Sequence, residues 1–122
     1  MAADLEPIYA ELRAVMLRAA PDLTVSRDEP GRLELVASWT HPRKPREPMW
    51  FGAVRLGKAY VSVHLMPVYM NAKLQAQIPS SLRARMQGKA CFNFKTANTA
   101  ALAELETLAL TCAKAFETPL VF

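Results

Sequence analysis

The sequence predicts one domain of the α+β class over residues 1–122, in which a mostly antiparallel five-stranded sheet carries the N- and C-terminal helices on one face. Its 122 residues suffice for a domain with its own core. Its composition, 52% hydrophobic and 21% charged, is that of a folded protein. Apolar residues recur with helical spacing near both ends and alternate between them, which predicts the order α-β-β-β-β-α(α)-β-α.

The first helix is predicted over residues 4–19, because its apolar residues follow the i, i+3, i+4, i+7 spacing of one helical face. Asp4 suits the N-cap position, and Pro21 ends the helix. The apolar stripe consists of Leu5, Ile8, Leu12, Val15 and Ala19. We expect this stripe to pack against the sheet.

Two strands at residues 23–28 and 33–40 are predicted to form a hairpin, because the turn signal Glu29-Pro30-Gly31 separates them. The core-facing residues of the second strand are Leu33, Leu35, Ala37 and Trp39. Residues 41–48 hold three prolines and three cations, a composition that predicts an extended, solvated loop.

A second hairpin is predicted to join residues 49–56 to 59–66 through Gly57-Lys58, since a two-residue loop with glycine first suits a type II′ turn. Paired residue numbers then sum to 115. The alternation directs Trp50, Val54 and Leu56 toward the core. The opposite, outer face of the hairpin would carry Met49, Phe51, Ala53, Arg55, Tyr60, Ser62, His64 and Met66.

Two short helices are predicted after Pro67, over residues 71–77 and 80–87. Ser80 would cap the second helix, and Gly88 would close it. These helices lead back toward the sheet.

A fifth strand is predicted over residues 89–95, where Asn93 and Lys95 alternate with the phenylalanines. A last helix is predicted over residues 99–116, with Asn98 or Thr99 as its cap. Its apolar stripe consists of Leu102, Leu105, Ala109, Cys112 and Phe116. Neither cysteine lies in a CxxC motif, which predicts two reduced, buried thiols.

The charge of this chain is divided along its length. Residues 43–95 contain ten Lys or Arg and one acid, Glu47, whereas the two flanking parts hold five basic and ten acidic residues. The net charge of +4 therefore combines a middle segment near +9 with ends near −5. A basic segment of this kind favours an anionic partner.

Polar side chains that share the outer face form the predicted ligand site. Hydroxyl, amide, guanidinium and ammonium groups all donate hydrogen bonds to phosphate or carboxylate oxygens. The site consists of Arg55, Tyr60, Ser62, His64, Asn93 and Lys95. The alternative is a sheet face that is merely solvated or covered by a helix.

No catalytic signature occurs in the sequence, so it leaves open whether the protein is an enzyme and favours a non-enzymatic one. His64 has no second histidine in register, which favours a structural role over a metal ligand or general base. Cys91 lies near Lys89, whose charge would lower a thiol pKa, yet its strand position between apolar residues favours burial. We predict no catalytic residues, no metal and no cofactor.

The predicted partner is a small anionic ligand or a protein. Nucleic acid bound through residues 43–95 is the alternative, since a pI of about 9.3 is typical of such proteins. A homodimer through the sheet face is also compatible with its apolar residues. The sequence has no signal-peptide pattern and no apolar run long enough for a bilayer, so we predict a cytoplasmic protein without membrane contact.

Two segments, 57–67 and 86–94, each contain a Gly-Lys pair followed by a hydrophobic strand. With the helices around them they resemble small bacterial YdhG-like proteins of unknown function, over about residues 5–116. The resemblance implies an α+β domain and, through one member of that group, iron handling of a frataxin-like kind that relies on acidic residues along a helix and a sheet edge. The first helix here offers only Asp4, Glu6 and Glu11, so the charge pattern disfavours that role.

Overall fold

The computed structural model of the chain describes residues 5–41, 43–87, 91–96 and 99–116. Within them it contains five helices and six strands, and it confirms the α+β class. In chain order the elements are α1 (Glu6–Ala19), β1 (Thr24–Glu29), β2 (Arg32–His41), β3 (Lys44–Leu56), β4 (Val61–Leu65), α2 (Met66–Met70), α3 (Ala72–Ala76), α4 (Ser80–Arg83), β5 (Met86–Gln87), β6 (Cys91–Phe94) and α5 (Thr99–Ala115).

The strands form one antiparallel sheet in the order β1-β2-β3-β4-β6-β5. The two long helices, α1 and α5, contact each other and join the inner face of the sheet in a single core. Leu12 and Met16 of α1 and Leu105 of α5 are completely buried there, together with Leu35 and Val63 of the sheet. The predicted packing of the terminal helices on the sheet is therefore present.

The ends of the long helices lie close to their predicted positions. α1 begins at Glu6, and Leu5 occupies the N-cap position without a side-chain hydrogen bond. α5 runs from Thr99 to Ala115. The proposed caps Asp4 and Asn98 lie outside the described residues. Helical periodicity located both elements because each extends over at least 14 residues and buries one face.

Over the described residues the sheet has six strands rather than the predicted five, because the predicted helix over residues 80–87 is wrong in its second half. α4 ends at Arg83, with Pro79 rather than Ser80 at its N-cap. β5 then pairs with β6, and the amide of Asn93 donates to the carbonyl of Arg85 at 2.8 Å. Long-range pairing satisfies the backbone here, and local patterns do not reveal it. The predicted C-cap, Gly88, and residues 89 and 90 of the predicted strand lie outside the described residues.

The strand predicted to reach Met66 ends at Leu65, and helix α2 begins directly after it. Pro67 occupies the first turn of α2, a position where the missing N–H of proline costs nothing. Asn71 then caps α3, since its side chain accepts a hydrogen bond from the amide of Lys73 at 2.9 Å. Pro67 therefore both follows the end of β4 and belongs to the first turn of α2.

The predicted loop over residues 41–48 is wrong, because β2 continues to His41 and β3 already begins at Lys44. Pro48 pairs with Thr40 across the two strands. β4 pairs only with residues 52–56 of β3, so within the described residues the earlier part of β3 has no strand on its other side. Prolines are tolerated in such an edge position, since their missing N–H can point away from the ladder.

The hairpin between β3 and β4 has a register in which paired residue numbers sum to 117, not 115. Leu56 pairs with Val61, and the amide of Gly57 donates to the carbonyl of Tyr60 at 2.9 Å. The turn is therefore centred on Lys58-Ala59. Gly57 does not have the positive φ of a type II′ turn; among the described residues only Gly31 does. A shift of two residues keeps every side chain on its predicted face.

A β-bulge at Phe51 reverses the predicted faces of the first part of β3. Gly52 pairs with Leu35, whereas Trp50 already pairs with Val36, so one residue of β3 has no partner. Phe51 is completely buried, and its ring lies 5.6 Å from that of Phe116 on the inner face. The prediction that Phe51 faces outward and Trp50 inward is thus wrong.

Met49 and Met66 were also predicted to face outward, and both instead pack against the core. Met66 belongs to α2 rather than to the strand. The apolar end of the predicted outer face is therefore supplied by Trp50, whose ring centroid lies 5.9 Å from that of His64.

Candidate functional site

The outer face of the sheet is organised in two rows of side chains that cross the strands. In the first row, Arg32 of β2 pairs with Arg55 of β3, and Ser62 of β4 lies between Arg55 and Asn93 of β6. The second row consists of Glu34, Ala53, His64 and Cys91. Directly paired residues have Cβ atoms about 4.5–5.5 Å apart. Residues from four strands therefore meet within a small area.

A concavity of about 380 Å³ opens on this face beside the β3–β4 turn. We call it the β3–β4 concavity. Its lining consists of Arg55, Leu56, Gly57, Lys58, Ala59, Tyr60, Ser62 and His64. The described residues of this lining supply two cations, two hydroxyls and an imidazole, and none of them is acidic.

The structure brings four of the six predicted site residues together in this concavity: Arg55, Tyr60, Ser62 and His64. The predicted pairing of Arg55 with Tyr60 is wrong, because the register of 117 places Arg55 opposite Ser62. Asn93 lies next to Ser62 in the same row. Lys95 follows the last residue of β6, is exposed and does not line the concavity.

Two cations of this region were not among the predicted site residues. Lys58 lines the concavity from the turn. Arg32 lies opposite Arg55 across the β2–β3 ladder. The sequence does indicate that Arg32 faces outward, because it precedes the core residue Leu33 and adjacent residues of a strand point to opposite faces. The pairing that places it beside Arg55 could not be read from one strand alone.

Positive charge at the site is only partly balanced. Glu34 forms ion pairs with both Arg27, at 3.5 Å, and Arg32, at 3.4 Å. Arg32 Nε is nevertheless buried, and no described residue accepts a hydrogen bond from it with good geometry. The side chain of Arg55 forms no ion pair or hydrogen bond within the described part of the chain. Like charges on directly opposed residues are unfavourable. An anion bound at Arg55 would therefore relieve repulsion.

Two of the predicted donors are engaged with each other. The Ser62 hydroxyl donates to Asn93 Oδ1 at 3.1 Å, and Asn93 Nδ2 donates to Gln87 Oε1 at 2.9 Å. These bonds tie β4 to β6 and to β5. They orient Ser62 so that its oxygen accepts rather than donates toward the concavity.

Burial lowers the pKa of His64 below its ordinary value, and the neighbouring charge of Arg55 lowers it further. The imidazole is therefore neutral at pH 7 and offers one donor and one acceptor. It is flanked by Trp50 on β3 and paired with Ala53 and Cys91 on the strands to either side.

The lowered pKa of His64 predicts that stability falls as pH decreases below about 6.5, the ordinary histidine value. Below that pH the unfolded chain binds a proton that the folded state resists, whereas above it both states are neutral. Urea unfolding between pH 8 and pH 5, in buffers free of phosphate, should show this loss. His64→Gln should remove that part of the slope.

Asp28 does not interfere in this range. Its hydrogen bond with Arg13 lowers its pKa, so its contribution is lost only as pH falls below the ordinary carboxyl range near 4. Equal slopes for wild type and His64→Gln above pH 5 would contradict the assignment to His64.

The two cysteines are free thiols, as predicted, but only Cys112 is fully buried. Burial raises the pKa of Cys112 to about 12. Cys91 is half-buried on the outer face, and burial raises its pKa too, against a smaller opposing effect of Ser62 and Arg55. A raised pKa keeps the thiol protonated at neutral pH, which disfavours the activated-thiol interpretation.

Two arginines of the basic middle segment have structural roles. Arg83 donates from Nε to the carbonyl of Ile78 at 3.0 Å and from a terminal nitrogen to that of Gln75 at 2.7 Å. Arg85 donates to the carbonyl of Ser81 at 2.9 Å, and its guanidinium lies 5.5 Å from the centroid of the Phe94 ring. Both stabilise the region of the short helices. Nucleic-acid binding through residues 43–95 stays a prediction.

In the part of the chain that the structure describes, no three His, Cys, Asp or Glu side chains are arranged to hold a metal ion. None of the described helices combines the length and the apolarity needed to cross a bilayer.

The fold and site together define a small α+β domain with a basic concavity on an antiparallel sheet. No protein-family model, curated protein or solved structure matches the chain. The resemblance to YdhG-like proteins therefore stays a prediction.

Proposed function

We propose that this domain binds a small anionic ligand in the β3–β4 concavity. The observation that carries the proposal is the convergence of Arg55 and Lys58 in a concavity of about 380 Å³ in which none of the described lining residues is acidic. Ligand sites in proteins have volumes of about 300–1,000 Å³ and hold a few convergent polar groups. The uncompensated charge of Arg55 adds a reason for an anion to bind there.

Each polar group of the concavity has a role in this proposal. The guanidinium of Arg55 donates two parallel hydrogen bonds to a phosphate or carboxylate, and the ammonium of Lys58 contributes a point charge from the turn. Tyr60 and His64 add neutral hydrogen-bonding groups. An Asp or Glu side chain of a protein partner would present the same carboxylate to Arg55, so the proposal includes a partner that inserts an acidic side chain.

The proposal predicts that anions stabilise the protein against heat. A ligand at one hundred times its dissociation constant adds about 2.7 kcal/mol to the free energy of unfolding. Thermal unfolding should be followed with a panel of nucleotides, phosphorylated metabolites, dicarboxylates and acidic peptides. For the wild type and for each variant, the Tm with ligand is compared with the Tm of the same protein without ligand. The Arg55→Ala/His64→Ala double variant should lose the stabilisation.

Arg46→Ala is the matched control, since Arg46 is an exposed cation of β3 that does not line the concavity. It should respond to ligand like the wild type. The proposal is refuted if no member of the panel stabilises the wild type, or if the double variant is stabilised as strongly as the wild type.

A further inference from the structure

We infer that the ligand is a phosphate monoester whose organic part carries hydroxyl groups. The whole ligand has the size of a sugar phosphate or a nucleoside monophosphate. This inference rests on the proposed function and specifies its ligand class. It is carried by three properties of the β3–β4 concavity: its charge, its volume and the arrangement of its polar groups.

The charge of the lining matches a dianion. Arg55 and Lys58 are the two cations among the described lining residues. Arg32 lies opposite Arg55, and its charge is partly neutralised by the ion pair with Glu34. A phosphate monoester carries about −1.5 to −2 at neutral pH. A single carboxylate would leave one of the two cations without a counterion.

The volume exceeds what an inorganic anion fills. At about 30 Å³ per molecule in liquid water, roughly a dozen waters occupy a space of this size. A phosphate group replaces only a few of them. The remaining lining includes Ala59 and the aromatic residue Tyr60, which suit the carbon skeleton of a larger ligand.

The polar groups are ordered along the hairpin. Lys58 and Tyr60 lie at the turn, Arg55 and Ser62 form the next pair, and His64 lies farther from the turn than Ser62. A phosphate between Lys58 and Arg55 would extend its organic part over Ser62 toward His64. Ser62 has an oxygen that accepts, and the neutral imidazole both donates and accepts, which suits sugar hydroxyl groups.

Titration calorimetry tests the inference with ribose 5-phosphate, glucose 6-phosphate and adenosine monophosphate. Inorganic phosphate, ribose and adenosine are the matched compounds that lack one part of the ligand, and succinate is a dicarboxylate for comparison. At least one ester is expected to bind ten times more tightly than each of its parts. Arg55→Gln and Lys58→Gln should each weaken that binding at least tenfold, and Arg46→Gln should leave it unchanged.

The failures of the inference and of the proposed function are distinguishable. If succinate or an acidic peptide binds in an Arg55-dependent manner and no ester does, the ligand class is wrong and the anion site stands. If no anion binds, or if Arg55→Gln and Lys58→Gln bind esters like the wild type, both fail. If single-stranded oligonucleotides bind equally well with and without a 5′-phosphate, and more tightly than any ester, a nucleic acid replaces the monoester.

Discussion

Replacing Gly52 with alanine is expected to destabilise the protein by roughly 3 kcal/mol or more, near the upper end of what overpacking costs. A Cβ at this position would lie 2.2 Å from the carbonyl oxygen of His64 and 3.3 Å from its carbonyl carbon, whereas the nearest side-chain atom, Met16 Cε, is 3.5 Å away. The obstacle is the backbone of the adjacent strand. β3 and β4 would have to separate at the centre of the sheet.

Thermal and urea unfolding measure this effect, which corresponds to a decrease of Tm by roughly 10 °C. Gly57→Ala is the comparison, because a Cβ there meets the Tyr60 carbonyl at 2.8 Å, but at an exposed turn that can adjust. We expect it to cost roughly 1 kcal/mol. A Gly52→Ala variant as stable as the wild type would show that the two strands do not approach this closely.

Phe51 and Trp50 provide the second large effect, because the bulge assigns them to opposite faces. Phe51→Ala should cost roughly 3–5 kcal/mol, the range for removing a fully buried phenylalanine. Trp50→Phe should be close to neutral. Trp50 Nε1 is buried without a hydrogen-bond partner among the described residues, so removing that N–H removes an unsatisfied donor.

Urea unfolding of the two variants decides between the faces. Phe116→Leu supports the comparison, because the rings of Phe51 and Trp39 both pack on Phe116, at 5.6 and 5.1 Å. It should couple energetically to Phe51→Ala in a double-mutant cycle and not to Trp50→Phe. A larger loss of stability for Trp50→Phe than for Phe51→Ala would contradict the bulge.

This bulge shows how a sequence pattern can succeed over most of a strand and fail at its end. Period-two alternation placed Ala53, Arg55, Ser62 and His64 on the outer face, where the structure has them. The predicted register of the β3–β4 hairpin differs from the observed one by two residues. A difference of two residues leaves each side chain on the same face of the sheet. One extra residue at Phe51 does change the face, because it places Met49, Trp50 and Phe51 on the faces opposite to the predicted ones.

The sequence predicts those residues of the candidate site whose position depends only on the face of the sheet that their side chains occupy. Arg55, Tyr60, Ser62 and His64 lie together because they come from one hairpin, whose two strands are adjacent in sequence. Arg32 was missed because it reaches the site through the β2–β3 pairing. The sequence places Lys58 in the predicted turn, and only the structure shows that it also lines the concavity.

By itself the sequence determined the α+β class, the two long helices, the core residues of β2 and the basic middle segment. These properties depend on composition and on periodicity within one element, which burial of one face imposes locally. The tertiary structure decided the sixth strand, the strand nature of residues 44–48, the reversal at Phe51 and the shape of the β3–β4 concavity. Each of these arises from backbone hydrogen bonds or close contacts between separate segments, and such pairings are selected by the whole fold rather than by any local pattern.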